Sequence, residues 1–142
     1  MATYTKYEPF VEHFSNKLID AFGTTDTWKA VIHTDAPVVA TDDDVSDLTQ
    51  IAGSNGYTTD GDNITFNSTR SGGTVTATAV DVVWTASGGN LGASTTGRYV
   101  SYYNDTAAGN WLAASWDYGS TFTVALGETL TLDFGASLYT FA

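Results

Sequence analysis

From residue 27 onward the chain reads as short runs in which apolar residues recur at every second position, and that period suits extended strands rather than helix. TWKAVIHT (27–34) sets Trp28, Ala30 and Ile32 against Lys29, Val31 and His33. NITFNSTR (63–70) follows a turn built from Asp60, Gly61 and Asp62. In GTVTATAVDVVWTAS (73–87) the alternation changes phase: Val75, Ala77 and Ala79 share one parity, and Val80, Val82 and Trp84 the other. A one-residue slip of this kind predicts a β-bulge near 79–81. Further strands are expected at 97–104, 110–118, 121–126, 128–134 and 138–141. The pattern TFTVAL-GE-TLTLDF predicts a hairpin, with Phe122, Val124 and Leu126 facing inward beside Leu130, Leu132 and Phe134.

Helical period occurs in one place. In EPFVEHFSNKLIDAF (8–22), Phe10, Val11, Phe14, Leu18 and Phe22 recur at spacings of three and four. Pro9 suits the first turn and Gly23 the position after the last. The expected fold is therefore mainly β: an antiparallel β-sandwich, Ig-like or jelly-roll-like, with one N-terminal α-helix. No repeat or linker divides the 142 residues, so a single domain is expected, with an N-terminal arm and helix over about 1–22 and a β region over about 27–141.

Charge narrows the partners. The net charge is −11, from 16 acidic and 5 basic residues, and the cations Lys6, Lys17, Lys29, Arg70 and Arg98 are scattered singly. Neutralising a phosphate backbone or an anionic bilayer needs clustered Lys and Arg, so neither nucleic acid nor membrane is an expected partner. Cysteine is absent, which removes disulfides, thiolate metal sites and cysteine nucleophiles. The N-terminal MATYTKYEPF lacks the apolar core of a signal peptide, so synthesis in a cytoplasm is expected.

TDDDVSDL (41–48) is the densest run of metal-type ligands. Asp42, Asp44 and Ser46 fall at positions one, three and five of a calcium loop. Position six, however, is Asp47 where Gly is required, and position twelve is Gly53 where a bidentate Glu is required. Asp42, Asp44 and Asp47 remain weak cation candidates, and a solvated acidic turn is the expectation. His13 and His33 sit in no recognisable catalytic motif, and no cofactor is expected. Asp81, Asp117 and Asp133 lie near aromatics inside strands and could pair across a cleft, but carboxylates hydrogen-bonded to backbone at a bulge or strand end are the better reading. No enzymatic activity is expected.

Tyr99, Tyr102, Tyr103, Trp111, Trp116 and Tyr118 make an aromatic concentration. Trp116 and Tyr118 share parity with Leu112 and Ala114, which assigns them to the core. Tyr103 and Trp111 flank the loop NDTAAGN (104–110); core or hairpin packing is the leading reading for them, with exposed anchors or sugar-stacking platforms as the alternative.

Several segments in order resemble a widespread group of small tailed-bacteriophage virion proteins encoded near head and tail genes. They are the AFG that ends the helix, DTWKAVIHTDAP, DLTQIAGSNGYTTDGDN, VDVVWTASGG, GRYVSYYNDT and WDYGSTFTVALGETLTLDF, covering about residues 8 to 135. The resemblance implies a non-enzymatic structural protein of capsid decoration or cement type, on the virion exterior. The implied partners are the major capsid protein, copies of the chain itself, or both. Candidate interface residues are Tyr4, Tyr7, Phe10, Phe14, Tyr103 and Trp111. The alternatives are a tail-associated virion protein and a carbohydrate-binding β-sandwich module that uses Tyr103 and Trp111.

Overall fold

The computed structural model describes residues 2–20, 25–93 and 96–141. In chain order the elements are β1 (Thr3–Lys6), α1 (Pro9–Ser15), β2 (Trp28–His33), a 3₁₀ turn at Val45–Asp47, β3 (Asp62–Ile64), β4 (Phe66–Ser71), β5 (Thr74–Ala79), β6 (Val82–Thr85), β7 (Gly97–Asn104), β8 (Leu112–Phe122), β9 (Thr129–Leu132) and β10 (Tyr139–Phe141). The chain is mainly β, in antiparallel sheets, with one short helix among the described residues, as the periodicity predicts.

A five-stranded sheet in the order β1–β8–β7–β2–β3 forms one layer. Its inward face presents Trp28, Ala30, Ile32, Val100, Tyr102 and Ala114 to Phe66, Val82, Trp84, Leu132 and Phe134. Those partners come from the β10–β5–β4 sheet, the β6–β9 pair and the segment after β9. The two groups are nearly continuous, because only Thr65 separates β3 from β4 and only Val80 and Asp81 separate β5 from β6. The second face of the five-stranded sheet is buried as well. Tyr7, Val31, Tyr103 and Leu112 pack there under Val45 and Leu48 from the loop that follows β2. Val31 and His33 are therefore as buried as Trp28 and Ile32, and alternation on β2 separates two interiors rather than core from solvent.

Leu112 reaches that second interior through a bulge. Tyr102 pairs with Ala114 while Tyr103 pairs with Leu112, so Ala113 is the extra residue and Leu112 and Ala114 point to opposite faces. The shared parity of Leu112 with Trp116 and Tyr118 thus fails to place them together. Ala114, Trp116 and Tyr118 pack with the main core and Leu112 with the other.

Three expectations are corrected. The helix ends at Ser15, because Lys17 adopts φ 56° and the Leu18 N–H returns to the His13 carbonyl at 3.0 Å. The expected Phe22 and Gly23 end lies outside the described residues. The phase change in 73–87 is a corner between two strands rather than a bulge within one: Val80 is exposed, and Asp81 accepts the Phe134 N–H at 3.1 Å. The 121–134 hairpin does not form as a strand pair. Residues through Phe122 extend β8, while β9 pairs with β6, locked there by Gly127 N–H to Ala86 O and Ala86 N–H to Glu128 O, both at 3.0 Å. Leu126, expected to face inward, is 64% exposed.

Candidate functional site

In the acidic run the carboxylates of Asp42, Asp44 and Asp47 are spent on the backbone, and that of Asp43 lies 3.4 Å from His13 Nε2. Asp42 accepts the Val38 N–H at 2.7 Å, Asp44 accepts the Ser46 N–H at 2.7 Å, and Asp47 accepts the N–H groups of Asp43 and Asp44 at 3.0 and 3.2 Å. Asp44 and Asp47 form a reciprocal capping box around the 3₁₀ turn. The run is also clamped to the approach to β8, by Leu112 N–H to Asp43 O at 2.8 Å and Val45 N–H to Asn110 O at 3.1 Å. Among the described residues no group of three His, Cys, Asp or Glu side chains is arranged to hold a metal. Asp44→Ala is expected to lower stability by about 1 kcal/mol, the usual cost of a lost cap, by the same amount with and without millimolar calcium in a urea titration.

The other three acidic candidates are likewise engaged. Asp81 holds the Phe134 N–H, Asp133 holds the Gly135 N–H at 2.7 Å, and Asp117 takes a two-pronged bond from Arg98 at 2.9 and 3.0 Å. That guanidinium holds the Asp117 carboxyl below its ordinary range.

Under the loop after β2 lies a buried polar chain that the sequence does not announce. His33 Nε2 is 2.8 Å from Ser101 Oγ, and Ser101 Oγ is 3.0 Å from the Tyr7 hydroxyl. His33 Nδ1 lies 3.0 Å from the Asp35 carbonyl and 3.4 Å from its carboxylate. The order Ser–His–Asp is that of a nucleophile, its base and an orienting acid, but Ser101 and His33 are both 0% exposed. A substrate would have to displace the whole loop to reach the hydroxyl. Neutral His33 satisfies every position: Nδ1–H donates to Asp35, Ser101 donates to Nε2, and Tyr7 donates to Ser101.

Burial lowers the His33 pKa, and the nearby Asp35 only partly opposes it. The same burial pushes the Tyr7 hydroxyl up to about 12. Between the lowered folded value and the ordinary value of about 6.5, the unfolded chain holds more protons than the folded one. This group's contribution is therefore complete above about pH 6.5 and declines as the pH falls below it. The urea midpoint is expected to drop between pH 7 and pH 5, and His33→Gln is expected to flatten that slope.

The aromatic candidates separate by burial. Tyr103 is 1% exposed, and its hydroxyl donates to the Asp60 carbonyl at 2.9 Å, so it is no surface anchor. Trp111 is half-buried with the His13 ring stacked on it, centroids 4.0 Å apart and planes at 17°. His13 therefore occupies one face of the Trp111 ring. Tyr7 is fully buried and Phe10 nearly so, which removes Tyr7 from any direct contact.

Tyr4, Phe10 and Phe14 do come together. With Lys6, Val11, Tyr139 and Phe141 they line an apolar groove of about 260 Å³ between β1, α1 and β10. Tyr4 and Val11 stay about half-exposed on its rim. Phe14 and Phe141 meet in it with centroids 4.8 Å apart.

Three more cavities continue from this groove. One of about 260 Å³ shares Tyr4 and adds Trp116, Phe134 and Leu138. The next, about 430 Å³, shares Trp116 and Phe134 and adds Tyr118 and Asp133. The last, about 620 Å³, shares Tyr118 and adds Phe122, Glu128 and Leu130. The four form a seam along the line where β1 and β8 face the segments of β9 and β10. The sequence marks one end of the seam through Tyr4, Phe10 and Phe14 but not its length, which depends on which strands lie at sheet edges.

No family model matches the chain, and no curated protein or solved structure does so either. Among the described residues no helix is long and apolar enough to cross a membrane.

Proposed function

We propose that this chain is a non-enzymatic bacteriophage virion protein of capsid decoration type, bound to the outer surface of the major capsid protein lattice and stabilising it. The observation that carries the reading is the apolar groove of Tyr4, Val11, Phe14 and Phe141, which stays open to solvent on a chain of net charge −11. Elsewhere most large apolar side chains lie in the two interiors, although Leu18, Val38, Val80, Val83 and Leu126 are exposed as well. An open apolar groove at one edge is the usual mark of a contact surface. The resemblance of segments 26–37, 47–63 and 97–106 to small virion proteins supplies the class of partner. Acidity suits a position outside the shell, away from packaged DNA. Many equivalent sites on a lattice would let a modest groove give firm attachment through avidity.

The test is to mix the purified chain with undecorated capsids and follow binding and capsid melting. The chain is expected to bind and to raise the melting temperature. Val11→Glu changes an exposed residue on the groove rim, so the fold is expected to keep its stability within about 0.5 kcal/mol. Capsid affinity should fall by roughly tenfold or more, the size of one lost anchor. Failure of the wild-type chain to bind capsids, or co-purification with tails alone, would remove the proposal.

A further inference from the structure

The seam has a property that an apolar patch lacks: one of its walls is an unfinished sheet edge. β1 pairs on one side only, with β8, in the register Thr3–Asp117, Tyr4–Trp116, Thr5–Ser115 and Lys6–Ala114. The Tyr7 N–H continues that ladder, donating to the Ala113 carbonyl at 3.0 Å. In an antiparallel pair the backbone groups of alternate residues point to opposite sides. Thr3, Thr5 and Tyr7 therefore face β8, and the N–H and C=O groups of Tyr4 and Lys6 face away from it. All four β1 residues are exposed. Side chains follow a different division. Tyr4 and Lys6 line the cavities beside the edge, and Tyr4 packs edge-on against Trp116 with centroids 5.3 Å apart.

We propose that the seam is a strand-acceptor site: it takes an extended polypeptide segment of the partner, hydrogen-bonded to the outer edge of β1 through Tyr4 and Lys6. This deepens, and rests on, the reading of this face as the attachment surface. Every second side chain of an added strand points the same way, about 6.6 Å apart, and two neighbouring inward side chains would enter the two 260 Å³ cavities. Apart from Lys6 and Ser137, those cavities are lined by aromatic and aliphatic side chains such as Phe10, Trp116, Phe134 and Leu138, so the entering residues are apolar. Farther along, the charged groups lining the seam are Asp133 and Glu128, each holding a backbone N–H and neither in an ion pair among the described residues. The segment that matches is alternately apolar beside α1 and carries a Lys or Arg where it passes these two carboxylates. A peptide suits the site better than a glycan, because only a backbone matches the donor and acceptor spacing of a β edge.

Two variants isolate the backbone. Lys6→Pro deletes an N–H that points away from β8, a position where an edge strand tolerates proline, so the melting temperature should stay within a few degrees of wild type. Lys6→Ala removes the same side chain and keeps the N–H. The probe is a synthetic eight-residue peptide alternating Val and Thr with a terminal Lys, read by amide hydrogen exchange and NMR shifts. Saturating peptide is expected to slow exchange at Tyr4 and Lys6 at least tenfold in the wild type and in Lys6→Ala, and to leave Lys6→Pro unbound. On undecorated capsids Lys6→Pro should lose at least tenfold in affinity while Lys6→Ala stays within about threefold. Absence of protection at millimolar peptide overturns the proposal. So does capsid binding by Lys6→Pro at wild-type strength, which would leave the attachment reading standing. Cellohexaose shifting Trp116 and Tyr118 while the peptide fails would overturn it in favour of a glycan cleft. Peptide protection with no capsid binding by the wild type would sustain the strand-acceptor site and remove the capsid as the partner.

Discussion

Trp28→Ala is expected to destabilise the fold by about 3–5 kcal/mol, the range for emptying a large aromatic site in a core that cannot fully collapse. Trp28 is 1% exposed at the centre of the main interior, with Phe66 at 5.3 Å and Tyr102 at 5.8 Å between ring centroids. The Phe66 contact joins the five-stranded sheet to the opposite layer, while Tyr102 packs beside Trp28 from the neighbouring strand β7, so the cavity would open between the layers rather than at a margin. The indole also donates to the Asp20 carbonyl at 3.1 Å, tying the segment after α1 to the same residue. Domains of this size have total stabilities of about 5–15 kcal/mol, so the loss is a large fraction of the whole. The melting temperature should fall by roughly 10 °C or more. Trp28→Phe separates the two contributions: it keeps most of the packing and loses the N–H bond, and about 1–2 kcal/mol is expected. Equal losses for the two variants in a urea titration would mean that the hydrogen bond, not the packing, dominates.

Gly61→Ala should be nearly as damaging, for a reason unconnected with burial of apolar area. Gly61 has φ 79°, where an L side chain is strained by about 1–2 kcal/mol. Its missing Cβ also faces the carbonyl of Ala30, and an added methyl would overlap that oxygen and a Val31 methyl. Ala30 is held in register on both sides, opposite Asp62 on β3 and Tyr102 on β7. No rotamer change relieves an overlap with a backbone so fixed, and a loss of at least about 3 kcal/mol is expected, read as lower soluble yield and a lower urea midpoint. Gly72→Ala is the control. Gly72 also has a positive φ, 58°, but nothing lies within 4 Å of an added Cβ, and about 1 kcal/mol is expected.

These two residues show what was legible in the sequence. Trp28 was readable as core from its alternation with Ala30 and Ile32. Gly61 was readable as a turn from Asp60-Gly61-Asp62, but its close approach to Ala30 depends on β3 folding back on β2. Strand positions transferred well where one face is apolar: β7 occupies the expected 97–104, and β2 falls within 27–34. Pairing did not transfer. TFTVAL and TLTLDF have the alternation and the turn of a hairpin, yet β9 joins β6, because periodicity reports a residue's face and says nothing of the neighbouring strand. β1 was read only as an arm, since TYTK has a single apolar side chain to mark its phase.

The site shows the same division. Tyr4, Phe10 and Phe14 stand out in the sequence as aromatic residues near the N-terminus, and they converge on one groove. Tyr103 flanks a loop in the sequence, but its hydroxyl reaches inward to Asp60, a contact 43 residues away in sequence. The Tyr7–Ser101–His33 chain had no local signal, because its members come from three separate segments. The acidic run TDDDVSDL caps its own turns with the carboxylates of Asp42, Asp44 and Asp47.

The central claim is that the edge formed by β1, α1 and β10 faces a capsid lattice. A reconstruction of the intact particle at moderate resolution tests it most directly. Density for this chain is expected on the outer surface of the head, with Tyr4, Val11 and Phe141 turned toward the major capsid protein. Density for the chain confined to the tail, or on the head with the seam facing solvent, would contradict it.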